Sequence, residues 1–554
     1  MKKITWRKDL SIIDNLTEDL VVKELIRLRD LQDLTDEEFY DTDLNTLGFS
    51  NELAILLDLL SFVKKKKKKI VVYTDYDADG ITGGAIMWES LYLLGFDVMP
   101  YVPDRKTEGY GFSVGGLDYV KKTYDPGLII SVDHGISARE KIEYAKTKLG
   151  IPIVVTDHHL KPKLLPESAE AIIHMDFLSG SGVSFFTAKS IVRKLAKNND
   201  NEINKNFQVD YTVLASIGTV ADLVPLIGLS RQLVKKGLVN FSKSNRVGLR
   251  QLLKNAGIDN KKISPYDIGF IIAPRINAAG RLESALTALQ LLCTKSPERA
   301  SVLASKLSQL NSDRQDLVEE FFKQIEQKYS SLPKLPKIIL EYSPDLQEGI
   351  IGLIASRLVE RFNRPSIVFT DSDGFIKASA RSVEDLHITN FLRKSGDLLV
   401  EVGGHKQAAG LKVSKENFAD LKLFLNNLAD KEVTDNMLVK KITADFKVRL
   451  DQLSEDLYFK LLSLEPFGVG NPKPSFYSKV RVVSARLFGK NNEHTKLTVS
   501  DGFGQIDLLA FRNERLFFKV HRDEQIHVVF NLAVDRWNNR TCLNGMLIDY
   551  SLAG

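Results

Sequence analysis

Asp75-Tyr76-Asp77-Ala78-Asp79-Gly80 places three carboxylates at alternate positions directly after the apolar run Ile70 to Thr74. On extended backbone that spacing points all three to one side. Like charges gathered in this way repel and raise one another's pKa, so the cluster needs cations or basic partners to stay ionised. A D-x-D-x-D-G pattern also opens a calcium-binding loop, which requires a Glu six residues after its Gly and a helix in front. Ile86 stands at that position and a β-strand pattern precedes, so a calcium loop of this kind is excluded. Gly83-Gly84 begin the following helix, where bare backbone would let a phosphate approach the amides.

Three further segments repeat the theme. Asp133 lies beside His134 and Gly135 after the run Leu128 to Val132, and Asp157-His158-His159 follows Ile151 to Thr156. A single acidic residue at a β-strand end is ordinarily a cap or turn former. Imidazole and carboxylate together, however, make the donor set that divalent transition metals favour. Asp222 is embedded in apolar Gly218-Thr-Val-Ala-Asp222-Leu-Val-Pro225, and an unpaired buried carboxylate is costly enough to call for a cation. Asp75, Asp77, Asp79, Asp133, Asp157, His158, His159 and Asp222 therefore offer donors for two metal ions. Two such ions about 4 Å apart can activate water and stabilise a leaving oxygen in phosphodiester hydrolysis.

The elements that must position these residues follow from the pattern around them. Short β-branched runs alternating with helical patterns from Ile70 onward predict a mostly parallel, buried sheet, in which ligands bind at the carboxyl ends of the β-strands. The fold class expected is α/β and multidomain: two α/β domains joined by a long helix, followed by a C-terminal barrel of the oligonucleotide-binding type. The expected division is a helical lead-in over 1–69, a catalytic α/β domain over 70–240 and a helical connector over 241–330. A second α/β domain over 331–432 and a barrel over 433–554 complete it. In the barrel, β-strands are predicted at Ile442–Val448, Lys479–Leu487, Thr495–Ser500, Gln505–Phe511 and Ile526–Val534. Phe488, Lys490, Lys496, Phe511, Arg512 and Trp537 are candidates for stacking on and neutralising a single strand. The run Lys64 to Lys69 reads as a solvated, self-repelling segment.

Composition narrows the class. With 554 residues, 44% hydrophobic and 27% charged, the chain is globular and modular rather than disordered. A net charge of +5 excludes a uniformly basic protein, so any nucleic-acid surface is local. Cys293 and Cys542 lie far apart and supply neither a disulfide framework nor a zinc ribbon. No signal peptide or membrane-spanning run is read, and the expected location is the cytoplasm.

The four acidic segments resemble the motifs of the DHH phosphoesterase superfamily: Asp75 to Gly80, Val132-Asp133-His-Gly135, Thr156-Asp-His-His159 and Gly218 to Asp222. Within it, five blocks resemble the bacterial single-strand-specific DNA exonucleases. They are Pro103-Asp-Arg-Lys-Thr-Glu-Gly-Tyr-Gly111, Ala273-Pro-Arg-Ile-Asn-Ala-Ala-Gly-Arg281, Lys377-Ala-Ser-Ala-Arg-Ser382, Gly403-Gly-His-Lys-Gln-Ala-Ala-Gly410 and Pro466-Phe-Gly-Val-Gly-Asn-Pro472. The resemblance implies Asp77, Asp79, Asp133, His158 and Asp222 as metal ligands for two Mn²⁺ or Mg²⁺ ions, Asp75 contributing and His159 facing the scissile phosphate. It implies a 5′-phosphate site at Arg105, Ser379 and Arg381, contacts to the DNA strand by Arg275, Asn277 and Arg281, and a loop over the nucleotide at Gly404 and His405. The activity so implied is 5′-to-3′ hydrolysis of single-stranded DNA to 5′-mononucleotides in repair and recombination, with a helicase and a single-strand-binding protein as partners. Two rivals are a phosphodiesterase for short oligonucleotides or cyclic dinucleotides, and an inactive single-strand-binding scaffold. The first lacks the barrel and the Arg275 to Arg281 block, and the second would have lost ligands that this chain retains.

Overall fold

Uninterrupted apolar runs form the parallel sheet because neither face meets water. In the computed structural model, which describes residues 2–105, 107–196, 201–537 and 540–552, Ile70–Thr74, Leu128–Val132 and Ile153–Asp157 are buried along their whole length. Five parallel β-strands lie in the order Val98–Tyr101, Ile70–Thr74, Leu128–Val132, Ile153–Asp157, Ala171–His174. Thr74 pairs with Val132 and Val132 with Thr156, so the residues after these three β-strands emerge at one level of one edge. The chain leaves Ile70–Thr74 toward one side of the sheet and later returns on the other, which makes this edge the switch point where such sheets bind ligands.

Residues 32–429 with 468–470 make one compact unit, and 1–31, 430–467 and 471–554 another. The larger unit also holds a second, mixed sheet ordered Glu401–Gly404, Ala408–Ser414, Phe375–Arg381, Ser366–Ser372, Ile339–Tyr342. The last helix before this second sheet is Pro297–Ser330, capped by the Ser296 side chain with Pro297 in its first turn. No helix among the described residues is long and apolar enough to cross a membrane.

The smaller unit closes a barrel. Its β-strands follow the order Ser475–Phe488, His494–Ser500, Gln505–Ala510, Arg540–Leu552, Gln525–Trp537, and the last pairs back with the first. This is the closed five-stranded arrangement expected of an oligonucleotide-binding fold. Two details differ from the sequence reading. Lys440–Lys447 flanks the barrel instead of forming one of its staves, and Arg540–Leu552, which was not expected, supplies the fifth.

The helical lead-in expected over 1–69 is divided. Lys2–Asp9 is a β-strand pairing in parallel with Lys440–Lys447, and residues 1–31 belong to the barrel unit. The helix Glu18–Arg29 is capped by Thr17, buries Val21 and Leu25, and ends on a buried guanidinium. Arg29 Nη2 donates to Asp445 Oδ2 at 2.8 Å, and Nη1 to Asn471 Oδ1 and the Pro472 carbonyl at 2.8 and 2.6 Å. Gly83 and Gly84 also require a correction. A Cβ on Gly83 would meet Val132 and Ser181, and one on Gly84 would meet Thr74, so these glycines permit close helix–sheet packing and offer no open amides to a phosphate.

Arg29→Leu would strand the buried Asp445 carboxylate and is expected to cost the barrel unit about 3–5 kcal/mol. Arg29→Leu with Asp445→Leu is expected to recover much of that. Urea unfolding followed in the barrel unit checks both values, and a loss under about 1 kcal/mol for the single variant would contradict the role given to this pair.

Candidate metal centre

Each acidic residue reaches the sheet edge by a local device. Asp77 caps the helix Ala78–Leu93, its Oδ1 accepting from the Asp79 and Gly80 amides at 2.9 and 3.0 Å. Asp79 reaches across to the helix Gly180–Leu195, where Oδ2 and Oδ1 accept from the Gly180 and Ser181 amides at 2.6 and 2.9 Å. Both carboxylates thus sit at positive ends of helix dipoles. Asp133 turns the chain in the left-handed region at φ 68°, which Asp tolerates better than most residues. Asp222 ends the helix Asp210–Ala221. Two glycines make the crowding possible: a Cβ on Gly180 would lie 2.3 Å from Asp133 Oδ1, and one on Gly218 2.3 Å from Asp79 Oδ1.

These residues converge in overlapping groups whose donor atoms lie within 4.8 Å of one another: Asp75, Asp77 and Asp133; Asp79, His158 and Asp222; and Asp133, His158 and His159. His158 Nε2 comes to 3.1 Å from Asp133 Oδ1, 3.5 Å from Asp222 Oδ2 and 3.8 Å from Asp79 Oδ2, without hydrogen-bond geometry to any of them. Asp75 Oδ1 and Asp133 Oδ1 are likewise buried without a partner. Burial and the neighbouring carboxylates push Asp75, Asp77 and Asp133 above the usual carboxylate range and Asp222 up to about 8. Burial pushes His158 down. Partnerless carboxylate oxygens with one imidazole nitrogen, held apart from water, fit divalent cations of the Mn²⁺ and Mg²⁺ type.

Asp157, although available from sequence, has a different task. Its Oδ1 accepts from the His158 and His159 amides at 2.7 and 3.0 Å and from His159 Nδ1 at 2.8 Å, while Oδ2 accepts from the Ile136 amide at 2.8 Å. Burial would raise its pKa, but these donors, His159 above all, hold it below the usual range. Reciprocally, burial would lower His159, yet the Asp157 carboxylate raises it to about 9. The pairing with Asp157 thus favours the charged form of His159, oriented beside the carboxylate cluster. His174, at the end of the neighbouring β-strand, donates from Nε2 to the His159 carbonyl at 2.6 Å.

The remaining candidates fall around this centre. Arg105 lies over the Tyr76 ring at 5.2 Å. Asn277 Oδ1 accepts from the Ala78 amide at 2.7 Å, which ties the helix Ala273–Leu282 to the acidic loop and occupies that oxygen. Arg275 donates to the Ile271 carbonyl and Arg281 to the Gly349 carbonyl, each at 2.7 Å. Arg381 Nη1 donates to Ser379 Oγ at 3.0 Å. Gly404 and His405 occupy exposed positions in the hairpin beside Ser379 and Arg381, and Gly404 has φ 142° where a Cβ would strike the Ala408 carbonyl. In the barrel, Phe488, His494 and Phe511 cluster, but Lys496 is neutralised by Asp507 at 2.5 Å, and the Trp537 side chain lies outside the described residues.

One residue the sequence reading passed over is Tyr110. Its hydroxyl donates to the Asp133 carbonyl at 3.1 Å and lies 3.2 Å from His159 Nδ1, joining two of the acidic segments. Its place inside the Pro103 to Gly111 block was the available signal.

Comparison with known proteins places these features in a family. The DHH family N-terminal domain matches residues 69–219, the DHHA1 domain 335–431 and the RecJ OB domain 444–549. The single-stranded-DNA-specific exonuclease RecJ of Haemophilus influenzae is 30% identical over 99% of this chain and 99% of that protein. The RecJ of Bacillus subtilis is 33% identical over 86% of this chain, which spans 60% of that relative's length. The crystal structure of RecJ in complex with Mn²⁺ from Thermus thermophilus superimposes with a TM-score of 0.78 at 27% identity, covering 100% of this chain and 80% of that one.

Asp157→Asn is expected to move the His159 pKa from about 9 toward the ordinary value of about 6.5. Because the raised group is cationic below its pKa, His159 stays charged at pH 8 in the parent and becomes mostly neutral there in the variant. Ring-proton titration by NMR with labelled histidine reads this, and an unchanged midpoint would show that Asp157 does not hold the charge.

Proposed function

The chain belongs to the RecJ family of single-stranded-DNA-specific exonucleases, and from that premise we propose that it is a metal-dependent hydrolase of single-stranded DNA acting from the 5′ end to release 5′-mononucleotides. The observation that carries the reading is the donor cluster at the sheet edge, where carboxylate and imidazole atoms gather within 4.8 Å of one another and several lack a hydrogen-bond partner.

Asp75, Asp77, Asp79, Asp133, His158 and Asp222 would hold two Mn²⁺ or Mg²⁺ ions, which supply Lewis acidity toward the phosphoryl oxygens. The rest of the chemistry falls to the chain. The His159 imidazolium, aimed by Asp157 and the Tyr110 hydroxyl, donates to a non-bridging phosphate oxygen and stabilises charge that grows in the transition state. Arg105, Ser379 and Arg381 receive the terminal 5′-phosphate, for which guanidinium forks and a hydroxyl are suited donors. That anchor sets which bond lies at the metal centre and so gives release of one nucleotide at a time from that end. Gly404 and His405, on the hairpin next to Ser379 and Arg381, cover the bound nucleotide. The activity serves DNA repair and recombination in the cytoplasm, where a helicase and a single-strand-binding protein supply and hold the unwound DNA.

Hydrolysis of an internally labelled single strand with Mn²⁺ tests the proposal. A strand with a free 5′-phosphate is expected to release mononucleotides, while a 5′-blocked strand and a duplex are spared. Asp133→Ala is expected to lower the rate about a thousandfold, corresponding to about 4 kcal/mol of transition-state stabilisation. Equal cleavage of the blocked strand would refute the 5′-end reading, and cleavage confined to oligomers of two to five nucleotides would favour a small-nucleotide phosphodiesterase.

A further inference from the structure

We propose that Arg314, on the connector helix Pro297–Ser330, forms with Arg275 an anion subsite that holds a phosphodiester of the substrate strand other than the one being cleaved. The inference rests on single-stranded DNA being the substrate, as argued above.

The helix Ala273–Leu282 packs against both Pro297–Ser330 and Glu348–Phe362, and arginines from all three meet at this junction. Arg275 Nε and Arg314 Nε are buried there without a hydrogen-bond partner. Among the described residues, neither makes an ion pair with an acid, whereas Arg357 and Arg361 on the third helix are paired with Glu319 and Glu326 at 2.8 and 2.6 Å. The outer arginines are thus neutralised within the protein and the inner ones are not. Half-buried guanidiniums crowded together without counter-charge are costly, and an anion from outside the chain removes the cost. Asn311, one turn before Arg314, is buried with its Oδ1 also partnerless. Rotation of that amide by 180° would put its two N–H donors where the partnerless oxygen lies, on the same helix one turn from Arg314.

Continuity with the metal centre selects a DNA strand over a free anion. Gly280 lets the Tyr76 carbonyl approach to where a Cβ would be only 2.7 Å away, and Arg105 lies over the Tyr76 ring. On the other side, a Cβ on Gly349 would come within 2.5 Å of the Arg281 carbonyl, so Ala273–Leu282 and Glu348–Phe362 close on one another here. Arg281 feels the positive charges of both Arg105 and Arg314, and Arg314 those of Arg275 and Arg357. Like charge therefore links Arg105, Arg281, Arg314 and Arg275, from the acidic loop to the connector helix.

The test uses full-length protein carrying Asp133→Ala, to suppress cleavage, and a fluorescent oligodeoxynucleotide whose binding is measured across a series of salt concentrations. Arg314→Gln in that background is expected to weaken binding about tenfold at low salt. It is also expected to reduce the slope of log affinity against log salt by about 0.7, the value of one phosphate contact on a single strand. Arg314→Lys, which keeps the charge and loses the fork, is expected to keep the slope while binding more weakly than the parent. A merely structural residue would not change the number of counterions released. An unchanged slope in Arg314→Gln, or a reduced slope in Arg314→Lys, would overturn the subsite. Failure of the Asp133→Ala parent itself to bind the oligonucleotide would instead count against the substrate reading and take this inference with it.

Discussion

Mutual repulsion among carboxylates is the constraint on which the rest of the catalytic unit depends. Asp75, Asp77, Asp79, Asp133 and Asp222 arrive from separate segments at one edge of a buried parallel sheet, where water is shut out from Asp75, Asp79 and Asp133 and only partly reaches Asp77 and Asp222. Left alone, such a group takes up protons, as the upward shifts of Asp75, Asp77, Asp133 and Asp222 show. The fold holds the donors in place whether or not the charges favour it. Register between Thr74, Val132 and Thr156 sets the level, helix amides grip Asp77 and Asp79, and absent side chains at Gly180 and Gly218 leave the space. The stored unfavourable electrostatics become affinity for divalent cations.

Against this negative centre the protein sets positive charge of two kinds. His159 is local and paired, its charge maintained by Asp157 from behind, which holds the ring beside the carboxylate cluster. The arginines Arg105, Arg275, Arg281, Arg314 and Arg381 have no acidic partner among the described residues and come from the Pro103 to Gly111 block, Ala273–Leu282, the connector helix and the β-strand Phe375–Arg381. A polyanion laid across both would satisfy the two populations at once, with its scissile phosphate at the cations and its flanking phosphates at the guanidiniums.

Much of this was legible in the sequence, and the gaps have physical causes. The parallel sheet could be read because β-strands buried on both faces are apolar throughout, and the acidic clusters because carboxylates and imidazoles recur directly after several such runs. Asp157 could be placed at the edge but not given its task, since a ligand and an orienting acid differ only in where the side chain turns. Gly83 and Gly84 suggested open amides, whereas tertiary packing against Val132, Ser181 and Thr74 fills that space. The β-strand Arg540–Leu552 was hidden by Asn544 and Gly545, the latter required because a Cβ there would strike Leu508 and Phe530. Lys2–Asp9 was hidden because it lies at the sheet's edge and keeps a mostly polar, exposed sequence. Arg314 could not be singled out within the charged connector helix, because the neighbours that distinguish it lie on two other helices.

If cations are what allow these carboxylates to coexist ionised, loading the site must both fill two positions and expel protons. Calorimetric titration of the metal-free protein with Mn²⁺ near neutral pH, repeated in buffers of different ionisation enthalpy, measures the two quantities together. The account predicts two ions bound per chain, with net proton release that grows as the pH is lowered. Binding of fewer than two ions, or of two with no proton release at any pH, would contradict it.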